Sequence, residues 1–205
     1  MARRYSILKR AAMAEETRRR IVDAAVALHA EKGILRTKPA QIAARAEVAL
    51  TTFYKHFPAL GSLVRACTTR GRELIPVPDP AIVSALPRNL AVRIETMTHT
   101  LFDFYEAREP WLYVGRTEER LVPELQPVLQ AQRAVRDALV RAALEGTGAS
   151  GEAVGVATAL VDFWAWRTLR REVGLSQEEA SNAVTATVRR AVNVAAFPGE
   201  KERTR

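Results

Sequence analysis

Residues 51–56 bring two hydroxyls, a phenol, an amine and an imidazole into one short segment. These groups belong to Thr51, Thr52, Tyr54, Lys55 and His56. Amines and hydroxyls of this kind form hydrogen bonds with phosphates and with the edges of bases. Nucleophilic catalysis would require a nucleophile beside a base, and no such pairing is evident in the sequence. The segment therefore indicates a binding surface rather than a catalytic one.

The surrounding stretch, TKPAQIAARAEVALTTFYKHF at residues 37–57, predicts two short helices around a tight turn near Glu47. Thr37 is a candidate N-cap for the first helix, and Pro39 is tolerated in its first turn. Apolar residues recur at helical spacing through both helices. These residues are Ile42, Ala46, Leu50, Phe53 and Phe57. Two helices this small bury little surface, so we expect their polar face to serve a partner.

The composition is that of a soluble globular protein. Of the 205 residues, 48% are hydrophobic and 26% are charged, which excludes general disorder. One cysteine excludes an internal disulfide, and one cysteine with three scattered histidines offers no metal-ligand spacing. We expect no cofactor. Neither a signal peptide nor a membrane span is indicated, so a cytoplasmic protein is expected.

Positive charge is concentrated in the first third of the chain. Residues 1–72 contain 15 Lys and Arg against 5 Asp and Glu, a net charge of +10. Residues 73–205 contain 16 against 18, a net charge of −2. Such an asymmetry is typical of a phosphate-binding surface joined to an ordinary globular body. A merely solvated basic face is the alternative.

The N-terminal segment, residues 1–13, is basic and only weakly periodic. Its cations are Arg3, Arg4, Lys9 and Arg10. They are consistent with a flexible arm that reaches DNA phosphates or the minor groove, and equally with a tail that has no role. We expect the first helix to begin at about Glu15 and to end at Gly33.

The rest of the chain predicts helices without strands, and hence an all-α fold. The expected domains are a basic arm at 1–13, a three-helix helix-turn-helix domain at 14–74, a larger helical domain at 75–198 and a charged tail at 199–205. The boundary follows from the proline-rich segment 75–80. Expected helices include Ala59–Glu73, about twenty residues from Leu90 that are interrupted at Pro110, and a helix ending at Leu144.

The last two expected helices carry the most apolar surface. One runs from Ala153 to Trp166, and the other follows a capping box formed by Ser176 and Glu179. Their small and apolar residues predict a homodimer in which two helices from each copy form a four-helix bundle. A monomeric core is the alternative. The GTGASG sequence at 146–151 matches a dinucleotide-binding pattern, but it follows a helical stretch instead of a strand.

The segment IAARAEVALTTFYKHFPALGSLV, together with the helix and Gly33 before it, resembles the DNA-binding region of the TetR/AcrR transcriptional regulators. The resemblance covers about residues 15–64. It implies that the helix near 49–57 enters the major groove of double-stranded DNA. The residues that it places at the DNA are Thr37, Lys38, Thr51, Thr52, Tyr54, Lys55 and His56. The chain departs from the family's pattern at Glu47, Ala49, Leu60 and Gly61, where Gly, Ser, Lys and an acid are common.

The resemblance also implies a small-molecule effector bound in the C-terminal domain. Candidate contacts are Phe102, Tyr105, Trp111, Tyr113, Asp162 and Trp164, whose aromatic members are explained equally well as core. Asp162 needs a partner if it is buried, either an arginine or a polar ligand. Cys67 is either a structural thiol or an oxidant sensor.

These features together predict a homodimeric repressor that a ligand releases from a palindromic operator. An activator and a non-specific DNA-coating protein are the alternatives. We do not expect an enzyme, since a helical-bundle enzyme would need a carboxylate–histidine pairing that the sequence lacks.

Overall fold

The computed structural model describes residues 2–195, and their side chains except those of residues 2–4, 6 and 193–195. Within this range it contains helices and no strands, which confirms the predicted all-α class. The helices are α1 (Ala2–Lys32), α2 (Pro39–Arg45), α3 (Leu50–His56), α4 (Leu60–Leu74), α5 (Ala81–Ser84), α6 (Leu90–Glu118), α7 (Gln126–Leu144), α8 (Gly151–Leu160), α9 (Phe163–Arg167) and α10 (Gln177–Ala195). A 3₁₀ turn occupies Pro123–Leu125, and a π-helical turn occupies Thr168–Glu172. The expected tail at 199–205 lies outside the described residues.

The chain divides into two compact units. Unit 1 comprises Met1–Pro76 and Pro110–Leu129, and unit 2 comprises Val77–Glu109 and Gln130–Arg205. Helix α6 is therefore shared, because its last nine residues from Pro110 belong with the N-terminal segment. The domain limits expected from the sequence place all of α6 in the second domain.

Unit 1 contains the short helices α2 and α3, which pack on α1. The N-terminal core is the buried apolar cluster that holds them. Its members are Ile21, Val22, Ala24, Ala25, Leu28, Ile42, Ala43, Ala46, Phe53, Phe57, Leu63 and Cys67. Trp111 of α6 packs against this cluster. A second cluster in the same unit consists of Ile34, Val64, Val114, Val122, Leu125 and Leu129.

Unit 2 is a helical body in which α8 packs on α10. Tyr105 lies at the centre of an aromatic group, with ring centroids 5.7 Å from Phe163 and 5.9 Å from Trp166. Its hydroxyl donates to the carbonyl of Val161. At the start of α10 the predicted capping box is present. The Ser176 N–H donates to a Glu179 carboxylate oxygen at 2.8 Å, and the Glu179 N–H donates to the Ser176 hydroxyl at 3.1 Å.

Two expected helix boundaries were wrong in the first half of the chain. Helix α1 starts at Ala2, not at about Glu15, because residues 2–13 contain no Gly or Pro and several strong helix formers. Helix α6 continues through Pro110, although a proline removes one backbone hydrogen bond. Buried residues on both sides of the proline, Tyr105 and Leu112, continue the packed face of α6.

The expected helix from Ala153 to Trp166 is two helices in the structure. Asp162 separates α8 from α9, and its carboxylate caps α9 by accepting from the Trp164 N–H at 3.0 Å. The same carboxylate pairs with Arg136, so the arginine partner expected for Asp162 is present. A capping carboxylate stabilises a new helix start more than it stabilises a helix interior, which explains the break.

Candidate nucleic-acid interface

Helix α3 separates an apolar face from a polar face over only seven residues. Phe53 and its neighbour Phe57, which caps the helix, are both buried in the N-terminal core, with ring centroids 6.2 Å apart. On the outer side, Thr51, Tyr54 and Lys55 are exposed. Within the described part of the chain, no side-chain hydrogen bond or ion pair engages Thr51 or Lys55. Their donors are therefore available to a ligand.

Thr52 and His56 lie at the border of this face and are half-buried. Tyr54 is 49% exposed, and its ring packs edge-on against Phe53, with centroids 5.4 Å apart. This contact fixes the orientation of the Tyr54 ring. Of the five residues predicted on this helix, Thr51, Tyr54 and Lys55 are therefore exposed, and Thr52 and His56 are half-buried.

The turn between α2 and α3 contains a residue in the left-handed conformation. Glu47 has φ of +53°, the positive φ of a non-glycine residue. The turn is closed by the Val48 N–H, which donates to the Ala43 carbonyl at 3.0 Å. A side chain in this conformation costs roughly 1 kcal/mol relative to glycine. Glu47 therefore stores strain directly in front of α3.

The start of α2 differs from the expectation for Thr37. Lys38 is the N-cap residue, and its N–H donates to the Gln41 side chain at 3.0 Å. The Thr37 hydroxyl instead donates to the carbonyl of Gly33 at 2.6 Å. The candidate N-cap was therefore wrong, because the hydroxyl of Thr37 is used to close the end of α1. Thr37 is half-buried and Lys38 is exposed.

Several cations of unit 1 are already held by acids or rings. Arg45 pairs with Glu31 at 2.6 Å, and Arg70 pairs with Asp23 at 2.7 Å. The Arg18 guanidinium lies 5.0 Å from the centre of the Phe57 ring. Because these cations already have partners, the total of 15 Lys and Arg in residues 1–72 overstates the number that a ligand could engage.

A carboxylate of α6 accepts hydrogen bonds from the loop that leads into α2. Glu118 accepts hydrogen bonds from the backbone N–H groups of Ile34 at 2.9 Å and Leu35 at 3.1 Å. Gly33, with φ of +88°, permits the approach, because a Cβ at this position would collide with the carboxylate. Sequence reasoning missed Glu118, since it lies more than 80 residues from its partners and no local pattern marks it.

Gly61, another departure from the family pattern, also meets a carboxylate. A Cβ at Gly61 would collide with the side chain of Glu124 in the 3₁₀ turn. Glu124 thus places an acidic group beside the start of α4, where an acidic residue at position 61 is common in the family. The local sequence does not predict this contact, because Gly61 and Glu124 are distant in the chain.

The residues predicted to contact an effector are divided between the two units. Phe102, Tyr105, Asp162 and Trp164 belong to unit 2, and Trp111 and Tyr113 belong to unit 1. Phe102 and Tyr105 are buried, whereas Tyr113 and Trp164 are exposed. Phe102 and Tyr105 contact each other, with ring centroids 6.3 Å apart. Unit 2 therefore holds four of the six.

Cys67 is buried in the N-terminal core. Burial, with a smaller contribution from Asp23, raises the pKa of the Cys67 thiol to about 12. The group is therefore a protonated thiol at neutral pH, and oxidation requires the thiolate. Of the two interpretations of Cys67, this environment favours the structural one.

Neither a metal site nor a membrane-spanning helix is present among the described residues. Residues 2–195 bring together no set of three or more His, Cys, Asp or Glu side chains that could hold a metal ion. No helix in that range has both the length and the apolar character needed to cross a membrane.

Residues 21–67 match the family model for bacterial regulatory proteins of the tetR family. A search of curated proteins finds no match. Among solved structures, the multidrug binding protein EbrR complexed with imidazole is 22% identical, with a TM-score of 0.55 over 91% of this chain and 93% of that chain. GusR of Salmonella enterica is 19% identical, with a TM-score of 0.57 over 88% and 95%. A TetR-like transcriptional regulator from Rhodococcus sp. RHA1 is 16% identical, with a TM-score of 0.59 over 86% and 96%.

The strain at Glu47 gives a first prediction. Glu47→Gly should raise the free energy of unfolding by about 0.5–1 kcal/mol, because glycine adopts a positive φ without a Cβ penalty. Glu47→Ala removes the charge but keeps the Cβ, so it should give no such gain. Urea denaturation of the three proteins measures the difference. Equal stabilisation by glycine and alanine would assign the effect to charge.

The Glu118 hydrogen bonds give a second prediction. Glu118→Ala should lower the free energy of unfolding by about 2–3 kcal/mol, because two backbone donors lose a charged acceptor. Glu118→Gln keeps an acceptor and should lose less than half as much. Hydrogen exchange at the Ile34 and Leu35 amides should accelerate in the alanine variant. Unchanged exchange at both amides would show that this carboxylate does not hold the loop.

Proposed function

We propose that this chain is a homodimeric repressor that a small molecule releases from its operator. Its residues 21–67 match the family model for bacterial regulatory proteins of the tetR family. The observation that carries the proposal is the outer face of α3. Thr51, Tyr54 and Lys55 are exposed there, and the buried Phe53 fixes their orientation. We also propose a cytoplasmic location, because the expected partner is chromosomal DNA.

In this proposal α3 enters the major groove and its residues divide into two roles. Lys55 donates to guanine O6 or N7, and Thr51 or Thr52 contacts base edges or a thymine methyl group. Tyr54 and His56 donate to phosphates and set the register of the helix. Thr37 and Lys38, at the start of α2, lie beside the sugar-phosphate backbone and contribute no sequence preference.

The second copy is proposed to pack against α8 and α10. On α8, Gly155 and Ala159 are exposed and spaced one turn apart, and a Cβ on Gly155 would meet nothing within 4 Å. On α10, Ala183 and Ala186 are exposed, while Val184 and Val188 pack inward. Small exposed residues on two adjacent helices allow close approach of the same two helices from a second copy.

A two-fold dimer carries two copies of α3 and therefore reads a palindromic operator. Its half-sites are expected one helical turn of DNA apart, or a multiple of that spacing. An effector that favours a separation of the two α3 helices different from that of the half-sites lowers the affinity of the dimer for its operator. By linkage, operator DNA must lower effector affinity by the same factor.

The effector is proposed to bind in unit 2 among Phe102, Tyr105, Asp162 and Trp164, with Trp111 and Tyr113 as further candidates. The description of EbrR as a multidrug binding protein, with structures containing imidazole and proflavin, supports a small-molecule site in this fold. Helix α6 carries Phe102 and Tyr105 near its middle and Glu118 at its end.

A gel shift with the DNA upstream of the protein's own gene tests the proposal. Binding should be specific and should weaken steeply between about 50 and 200 mM salt, because phosphate contacts release counterions. Equal binding to every duplex would favour the non-specific coating protein, and no binding would reject the DNA-binding role. Transcription from the bound promoter in vitro distinguishes a repressor from an activator.

Lys55 and Lys38 form a matched pair of exposed lysines with different proposed roles. Lys55→Ala should reduce discrimination at one base pair by about 1–3 kcal/mol. Lys38→Ala should weaken binding to all sequences alike and reduce the salt slope by about 1. Selection of bound sequences from a random library, followed by titrations at several salt concentrations, measures both. A uniform loss with Lys55→Ala would make it a phosphate contact.

A substitution at Ala159 tests the proposed dimer interface. Ala159→Glu places a charge on the exposed face of α8 and should convert the dimer to a monomer with an unchanged helical circular-dichroism spectrum. Ala134→Glu makes the same change at an exposed position of α7 and serves as the control. Size-exclusion chromatography with light scattering measures the mass. A wild-type monomer at micromolar concentration would contradict the proposed architecture.

A further inference from the structure

The first turns of α1, residues 2–16, continue beyond the packing that holds this helix in unit 1. We call this segment the α1 extension. Every side chain that the structure describes between residues 5 and 16 is exposed, and the first buried residue of the helix is Ile21. Even large apolar residues of the extension, such as Leu8 and Met13, are more than half exposed. The extension therefore presents a surface that the N-terminal core does not use.

The α1 extension leaves unit 1 beside the C-terminal end of α3. Arg18, two residues after the extension, places its guanidinium 5.0 Å from the ring centre of Phe57, which caps that end of α3. Lys55 and His56 are the last two residues of the same helix. At a rise of 1.5 Å per residue the extension is about 22 Å long, which is the length of about six base pairs of duplex DNA.

One side of the α1 extension continues the face by which α1 packs on the other helices of unit 1. Ile21 and Leu28 belong to that buried face, which recurs at every third or fourth residue. Carried towards the N-terminus with the same spacing, this face passes through Thr17, Ala14, Arg10 and Ile7. We call these four positions the inner stripe. The acids Glu15 and Glu16 lie off the stripe, so it carries a cation and no acid on the side of α1 where α3 packs.

We propose that the inner stripe contacts backbone phosphates of operator DNA outside the half-site that α3 reads. The inference rests on the proposed DNA-binding function and adds a second contact surface to it. Residues 2–20 contain seven Lys and Arg against two Glu, a net charge of +5, which complements the phosphates of flanking DNA. On the stripe, the guanidinium of Arg10 would donate to a phosphate oxygen. Such contacts add affinity without adding sequence preference.

The helical form of the extension argues against two other binding modes. A helix with its side chains is about 10–12 Å across, whereas the minor groove is about 6 Å wide, so a helical extension cannot follow that groove. A helix that lies on a membrane surface gathers its apolar residues on one face. Tyr5, Ile7 and Met13 instead fall on three different sides of α1. Charge, more than apolar area, therefore defines the partner of this segment.

Two duplexes of different length test the proposal, with half-sites defined by selection from a random library with the full-length protein. One duplex ends at the outer edges of the half-sites, and the other has about ten extra base pairs at each end, enough to cover the length of the extension. The longer duplex should bind at least about tenfold more tightly at 0.1 M salt, with a salt slope steeper by about 0.9 for each phosphate contacted. Equal affinities would overturn this inference and leave the DNA-binding role intact. If the selection recovered no sequence, both would fail.

Two matched pairs of variants locate the contact on the inner stripe. Arg10→Ala should remove most of the gain from flanking DNA, whereas Lys9→Ala, which removes the same charge from an exposed residue off the stripe, should leave most of it. Ala14→Glu places an acid on the stripe and should reduce the gain, and Ala12→Glu makes the same change at an exposed position on the other side of the helix. The selected sequence should be the same for all four variants. Equal effects within both pairs would show that only net charge matters and would overturn the assignment to the stripe.

Discussion

The burial of Phe53 and Phe57 holds the exposed outer face of α3 in place. Helix α3 has seven residues, and a helix of this length is not stable alone in water, because nucleation is unfavourable. Phe53 and Phe57 bury their rings against α1, and each contributes about 1.5–3 kcal/mol of apolar burial. Their inward orientation sets which residues face outward. The chemistry of Thr51 and Lys55 is therefore a consequence of packing on the opposite side of the helix.

The same constraint makes residues 110–129 part of unit 1. Trp111 covers the N-terminal core, and Glu118 satisfies two backbone donors in the loop before α2. Thr37 also stabilises this loop, because its N–H donates to the Ile34 carbonyl at 3.2 Å and its hydroxyl donates to the Gly33 carbonyl at 2.6 Å. The exposed face of α3 thus belongs to a unit that includes a segment far away in sequence.

The local sequence pattern was sufficient to predict features that short-range interactions determine. The helix-turn-helix segment and the Ser176–Glu179 capping box follow from spacing and side-chain chemistry within a few residues. Pro110 shows the opposite case, since a local rule predicted an interruption that packing on both sides of the proline overrides. The contacts of Glu118 could not be predicted, because they join segments distant in sequence.

The exceptions to ordinary stability rules in unit 1 lie next to α3. Glu47 adopts a positive φ immediately before the helix, and the buried imidazole of His29 in α1 has no hydrogen-bond partner among the described residues. Each costs free energy that a glycine or an apolar residue would save. In natural proteins such exceptions occur mostly at functional or strained sites.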